Sequence, residues 1–157
     1  MDIIDNFLDK TEFKQIQEII MGDEFPWYYN KHISTSTDNK HFYFFSHNFL
    51  KNEVKSELFG LWKNFLKKLN YKALIRIKGG LYPSHPEVRP NNFHVDFPFK
   101  HKGCIFYINN NNGPTVIGKK SIFPKENRAV LFDPSLPHKS SLCSNQQVRV
   151  TITFNYF

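Results

Sequence analysis

Two histidines and one aspartate stand at spacings that would let them share a metal ion. In Phe93-His94-Val95-Asp96-Phe97, an extended backbone sends His94 and Asp96 to one side and Phe93, Val95 and Phe97 to the other, towards a core. A third donor, His138, follows 42 residues after Asp96, at the end of Asp133-Pro134-Ser135-Leu136-Pro137-His138. Two imidazoles and one carboxylate can hold iron(II) while leaving the remaining coordination positions open. Eleven residues beyond His138, Arg149 lies in a stretch that alternates without a slip. Val148, Val150, Ile152 and Phe154 share one face, and Arg149, Thr151, Thr153 and Asn155 share the other.

Taken as an ordered set, His-x-Asp, a distant His and an Arg-x-Thr on the next strand resemble the 2-oxoglutarate- and Fe(II)-dependent oxygenases, in their small prolyl-4-hydroxylase-like branch. The similarity runs on through Gly103-Cys104-Ile105-Phe106-Tyr107-Ile108-Asn109, Pro124-Lys125-Glu126-Asn127-Arg128 and Val130-Leu131-Phe132-Asp133, covering residues 73–157. His-x-Asp alone would carry little; the specificity lies in the order. The resemblance implies Fe(II) held by His94, Asp96 and His138, with no catalytic side chain beyond those ligands. It implies 2-oxoglutarate as co-substrate, its distal carboxylate on the Arg149 fork with Thr151 beside it, and Tyr107 and Tyr82 as further pocket contacts. The activity implied is a dioxygenase that consumes O2, releases succinate and CO2, and hydroxylates a C–H bond of an unidentified primary substrate. A peptidyl side chain such as proline is the family-level expectation, a nucleobase or small molecule stays open, and ascorbate enters as a reductant. The interval from His138 to Arg149 is slightly longer than the family's, which predicts a bulged loop over Ser140–Gln146.

Two other functions remain open on the residues alone. The same triad could hold zinc, nickel or manganese in a β-barrel that is not an oxygenase. A formal charge of +7 and a pI near 9.4 admit a basic nucleic-acid-binding module. Against the latter, lysines are scattered singly rather than gathered in a patch, so charge does not favour it. Among the seven histidines, His32, His41, His47 and His101 have no carboxylate two residues away, and these and His85 read as surface or hydrogen-bonded side chains. His85 and His101 could also line a substrate mouth.

The elements that must position these groups follow from periodicity. At 157 residues the chain reads as one domain, with helical and strand support over 1–72 and a metal-binding β-barrel core over 73–157. Asp9 and Glu12 form a capping-box pattern before an apolar stripe of Phe13, Ile16, Ile19 and Ile20 that stops at Gly22. Phe25 to Tyr29 predicts a short aromatic strand, 30–40 a polar loop, and His41 to Leu50 a strand that includes Phe42. Val54, Leu58, Leu61, Trp62, Phe65 and Leu69 recur at helical spacing and predict one helix from Glu53 to Leu69. From Tyr71 the period changes to two, with strands near 73–78, 93–97, 103–109, 114–117, 128–132 and 147–156. This succession suggests a sandwich or barrel. With the resemblance, the predicted fold is mainly β: a double-stranded β-helix, or jelly roll, buttressed by two N-terminal helices.

Cys104 and Cys143 lack ligand-like spacing, and Cys104 sits in an apolar strand as a small core residue. No apolar run is long enough for a membrane helix, and Met1-Asp2-Ile3-Ile4-Asp5 lacks a basic leader, so cytoplasmic residence is the default expectation.

Overall fold

Asp9 opens the first helix. Its carboxylate accepts hydrogen bonds from Thr11 N at 2.9 Å and Glu12 N at 3.4 Å, satisfying donors that a first turn leaves over. The helix, α1 (Lys10–Met21), buries Phe13, Ile16 and Ile20 and ends at Gly22. The computed structural model describes residues 1–33 and 43–157. Within them the strands are β1 (Asp2–Ile4), β2 (Tyr28–Asn30), β3 (Phe44–Lys51), β4 (Glu53–Val54), β5 (Leu74–Pro83), β6 (Arg89–Pro90), β7 (Lys102–Tyr107), β8 (Thr115–Ile117), β9 (Lys120–Ile122), β10 (Arg128–Phe132), β11 (His138–Lys139), β12 (Ser141–Leu142) and β13 (Val148–Tyr156).

A large antiparallel sheet runs in the order β1-β10-β7-β13-β5-β3-β2, with β4 hooked onto β3. A smaller layer is made of β11-β8-β9 and β12-β6. A lone bridge between His94 and His138, and a 2.8 Å bond from Asn91 N to Ser140 O, join those pieces into one ribbon. Ile122 and Ile117 of the small layer pack against Ile105, Tyr107, Val130 and Phe132 of the large one. Two such facing antiparallel layers form the double-stranded β-helix.

Alternation along β13 decides what lies on each side of the large sheet. Val150, Ile152 and Phe154 face the N-terminal elements, together with Phe106 of β7. There Phe65, on helix α2 (Lys63–Leu69), stacks on Phe154 with ring centroids 4.2 Å apart and planes 11° apart, and Trp62 meets Phe154 edge-on at 5.2 Å. Aromatic pairs of this kind add about 0.5–1.5 kcal/mol each beyond the area they bury. The opposite face of β13 carries Arg149, Thr151, Thr153 and Asn155 into the space between the layers.

The single helix predicted from Glu53 to Leu69 is three elements. Asn52 takes a left-handed conformation (φ 66°), which lets β4 fold back onto β3. Ser56 then caps a 3-10 turn (Glu57–Trp62) through Oγ and Leu58 N at 3.2 Å, and only Lys63–Leu69 is α-helical. The apolar stripe holds from Leu58 to Leu69, with Trp62, Phe65 and Leu69 buried and Leu58 and Leu61 half-buried, but Val54, on β4 beyond the Asn52 turn, is 55% exposed. The predicted strand over 93–97 reduces to the one bridge at His94. Phe93 is 54% exposed and Val95 41% exposed, so neither packs a core. Pro90 and Pro98 bracket this segment and limit the ladder it can join. The extra length between His138 and Arg149 is taken up by β12 and a turn clasped to Asn112, whose Oδ1 accepts from Ser144 N at 2.9 Å. The loop predicted over 30–40 and the strand start at His41 and Phe42 lie largely outside the described residues. No helix among the described residues is long and apolar enough to cross a membrane.

Candidate active site

One donor atom from each of His94, Asp96 and His138 lies within 4.8 Å of the others, and the two imidazole centroids are 4.4 Å apart. His94 and His138 face each other across their bridge, so the small layer sets their spacing. The Nδ1 of His138 is 2.9 Å from Leu136 O. A carbonyl can only accept, so this nitrogen donates, which leaves Nε2 as the atom offered to a metal. His94 is held below its ordinary pKa by burial first and by the neighbouring His138 second, which keeps its ring neutral.

Asp96 is fixed from both sides. Arg76 NH2 pairs with Oδ1 at 3.0 Å, and Asn155 Nδ2 donates to Oδ2 at 2.8 Å. Burial by itself would raise this carboxyl's pKa; Arg76, Asn155 and the two histidines outweigh it and hold the group ionised. Asn155, fully buried, spends its other atoms on the same network. Its Oδ1 accepts from Arg76 Nε at 3.1 Å, and its Nδ2 also donates to His101 Nε2 at 3.1 Å. The backbone is set too: Asp96 N donates to Pro134 O at 3.0 Å. Pro134 can lie that low because residue 103 is glycine, where an added Cβ would come within 2.6 Å of the proline ring.

The three donors open into a cavity of about 240 Å³ between the layers. At its other end lies Arg149, 2% exposed, with Nε donating to Gly113 O at 3.2 Å and NH2 to Thr115 Oγ1 at 2.8 Å. No carboxylate among the described residues pairs with it. A buried guanidinium without a counter-charge is costly, so this end of the cavity is built for an anion. Thr115 Oγ1 also accepts from the Tyr107 hydroxyl at 2.7 Å. With two donors on its oxygen, the threonine's own O–H is left to donate into the cavity it lines.

The cavity thus gathers His94, Asp96, His138, Arg149, Thr151 and Tyr82. Tyr107 stands one layer behind, its ring 5.7 Å from the Arg149 guanidinium and its hydroxyl on Thr115. His101 is buried behind Asn155, and His85 makes a local bond to Glu87 N at 3.2 Å; neither is among the described residues that line the cavity. His47 is buried between Pro26 O at 2.9 Å and Ser56 Oγ at 2.8 Å, a hydrogen-bonded structural histidine. Arg128 bonds Asp5 through Nε at 2.6 Å, away from the site. Thr115, Asn155, Arg76 and Lys78 were not assigned roles by spacing. The signal available for the last two was an Arg-x-Lys on the same strand face as Gly80 and Tyr82.

No protein-family model and no curated protein sequence matches the chain. Solved structures do. A Trichoplax adhaerens prolyl hydroxylase, in complex with a hypoxia inducible factor peptide, superposes with a TM-score of 0.69 at 17% identity, over 99% of this chain and 82% of that one. A Burkholderia pseudomallei oxidoreductase of the 2OG-Fe(II) oxygenase family gives 0.71 at 8% identity, over 98% and 83%. A Pseudomonas putida prolyl-4-hydroxylase gives 0.66 at 10% identity, over 99% and 91%. The chain therefore has the double-stranded β-helix fold found in 2-oxoglutarate- and Fe(II)-dependent oxygenases.

Proposed function

We propose that the protein is a 2-oxoglutarate- and Fe(II)-dependent dioxygenase that hydroxylates a C–H bond of a primary substrate. In sum, 2-oxoglutarate, O2 and R–H give succinate, CO2 and R–OH. The observation that carries this reading is the pairing, in one cavity, of an open two-histidine, one-carboxylate set with a buried guanidinium that no carboxylate among the described residues neutralises. A barrel that merely stored a metal would have no use for Arg149. The donor set fits iron(II): Nδ1 of His138 is engaged by Leu136 O so that Nε2 is the atom turned to a metal, His94 is kept neutral, and Asp96 is kept ionised. When bound, iron supplies the oxygen activation and oxidising power that no side chain here has.

The chain's own residues do the rest. His94, Asp96 and His138 hold the metal on one side only. Arg149 presents a planar fork, steadied by Gly113 and Thr115, to the distal carboxylate of 2-oxoglutarate, with the Thr115 and Thr151 hydroxyls beside it. Tyr82, whose ring lies 5.5 Å from the Arg149 guanidinium, walls that end off from water. Peptidyl proline is one candidate for the substrate, in keeping with the prolyl hydroxylases among the similar structures. Calorimetry of 2-oxoglutarate with the manganese(II)-loaded protein tests the reading. Binding should require metal and be lost in His138→Ala but not in His32→Ala, and the iron(II) form with ascorbate should release succinate slowly. Stoichiometric metal in His138→Ala, or no metal-dependent 2-oxoglutarate binding in the wild type, overturns it.

A further inference from the structure

Among the described residues that line the cavity, Lys78 is the cation that the proposed chemistry leaves idle. It shares the inward row of β5 with Arg76, Gly80 and Tyr82, and lies across from Thr153 of β13. Arg76 is matched by Asp96, and Arg149 is assigned to the co-substrate. Among the described residues no carboxylate or other acceptor touches the Lys78 ammonium, and Asp96 acts on it only at longer range; its close partner is the Phe44 ring, 4.9 Å from Nζ to centroid. Phe44 in turn stacks on Tyr82 at 5.3 Å and 9°, and Tyr82 stands 5.5 Å from the Arg149 guanidinium. Register sets Lys78 opposite Thr153 and Arg149 opposite Tyr82, four residues or about 13 Å apart along the backbone of β5, so the two cations serve different stretches of the cavity.

We infer that Lys78 binds a carboxylate of the primary substrate, at a second anion subsite beside the Phe44 ring. The inference rests on the oxygenase reading for the word substrate, but the subsite itself stands on the lysine's placement. A single ammonium is a point charge suited to a monoanion. The cavity's volume of about 240 Å³ limits what enters beside the co-substrate to a small acid or one acidic side chain. Burial and the nearby Arg76 already pull Lys78 down to about 8, and an anion beside Nζ would relieve that cost.

The test uses full-length protein labelled with 13C,15N-lysine and no added metal. The Lys78 Cε and Nζ signals, assigned by their loss in Lys78→Met, are followed during titration with propionate, with N-acetylglutamic acid α-amide, and with propionamide as a neutral isostere. One or both acids should shift the Lys78 signals saturably, in the wild type and in Arg149→Lys alike, while propionamide leaves them in place. Saturation transfer from protein to probe should fall about tenfold or more in Lys78→Met and recover in Lys78→Arg. A response to propionate alone identifies a free small acid, and one to the glutamyl probe alone an acidic side chain. Lys78 signals that move no more than those of exposed Lys67 overturn the inference. So does a response that disappears in Arg149→Lys, which would make Lys78 part of the co-substrate anchor. Failure of the oxygenase reading would show separately, in the metal-dependent calorimetry.

Discussion

Asn155 and Asp96 lie 59 residues apart in sequence and are joined by a 2.8 Å hydrogen bond, Nδ2 donating to Oδ2. Through it the last strand of the large sheet orients a carboxylate on a segment that is barely a strand at all. The same side chain ties down Arg76 and His101, so one buried amide holds three groups around the candidate metal site.

Replacing that amide should loosen the metal without dissolving the fold. Asn155→Ala leaves Asp96, Arg76 and His101 each short of a partner, and losing such outer contacts typically costs about 10- to 100-fold in metal affinity. Manganese(II) titration of wild type and variant measures it, with the amide fingerprint spectrum as the check on folding. Unchanged affinity would mean that Arg76 and the Pro134 backbone alone position Asp96.

The anion end should respond independently. Arg149→Lys keeps a charge but loses the fork, which is expected to cost about 1.5–3 kcal/mol, or roughly ten- to a hundred-fold in 2-oxoglutarate affinity. Thr115→Val removes the shared acceptor of Arg149 and Tyr107 and should weaken the same binding in the same direction. Metal affinity should be nearly constant across all three proteins. Equal 2-oxoglutarate binding to wild type and Arg149→Lys would move the anchor elsewhere in the cavity.

Lys78 makes stability depend on alkaline pH with a definite sign. Burial first, and Arg76 second, lower its pKa from 10.5 to about 8. Below 8 both folded and unfolded chains carry the proton, and the fold bears the full cost of the buried charge. Between 8 and 10.5 the unfolded chain holds the extra proton, so stability rises with pH through that window. Lys78→Met should therefore be the more stable protein at neutral pH, with its lead shrinking across the window. Urea unfolding of both at several pH values checks it; parallel curves would show that the ammonium is well solvated.

On the opposite face of the sheet, Phe65→Ala should be severe. The ring is fully buried and stacked on Phe154, and emptying such a site costs about 3–5 kcal/mol. The midpoint in urea reports the loss. A change under about 1 kcal/mol would mean that α2 adds little to holding the large sheet.

Much of the architecture is local and so was legible in residue order. Asp9 caps α1 through bonds to its immediate neighbours, and the period-two run from Val148 to Asn155 sorts packing from polar residues whatever the rest of the chain does. His94, Asp96 and His138 were legible for a different reason: few donor sets hold a metal with open positions, and their order on the chain resembles a known one. What tertiary structure decided is everything that depends on pairing between distant strands. The register of β13 against β5 sets Asn155 opposite Arg76 and Arg149 opposite Tyr82; a shift of one residue would turn every one of these side chains to the other face. Arg76 and Lys78 look alike in sequence, two cations on one strand face, yet among the described residues one pairs with Asp96 and the other sits over an aromatic ring. Their difference comes from what the fold places opposite each, because the strength of a charge's interactions is set by neighbours and burial rather than by its place in the chain.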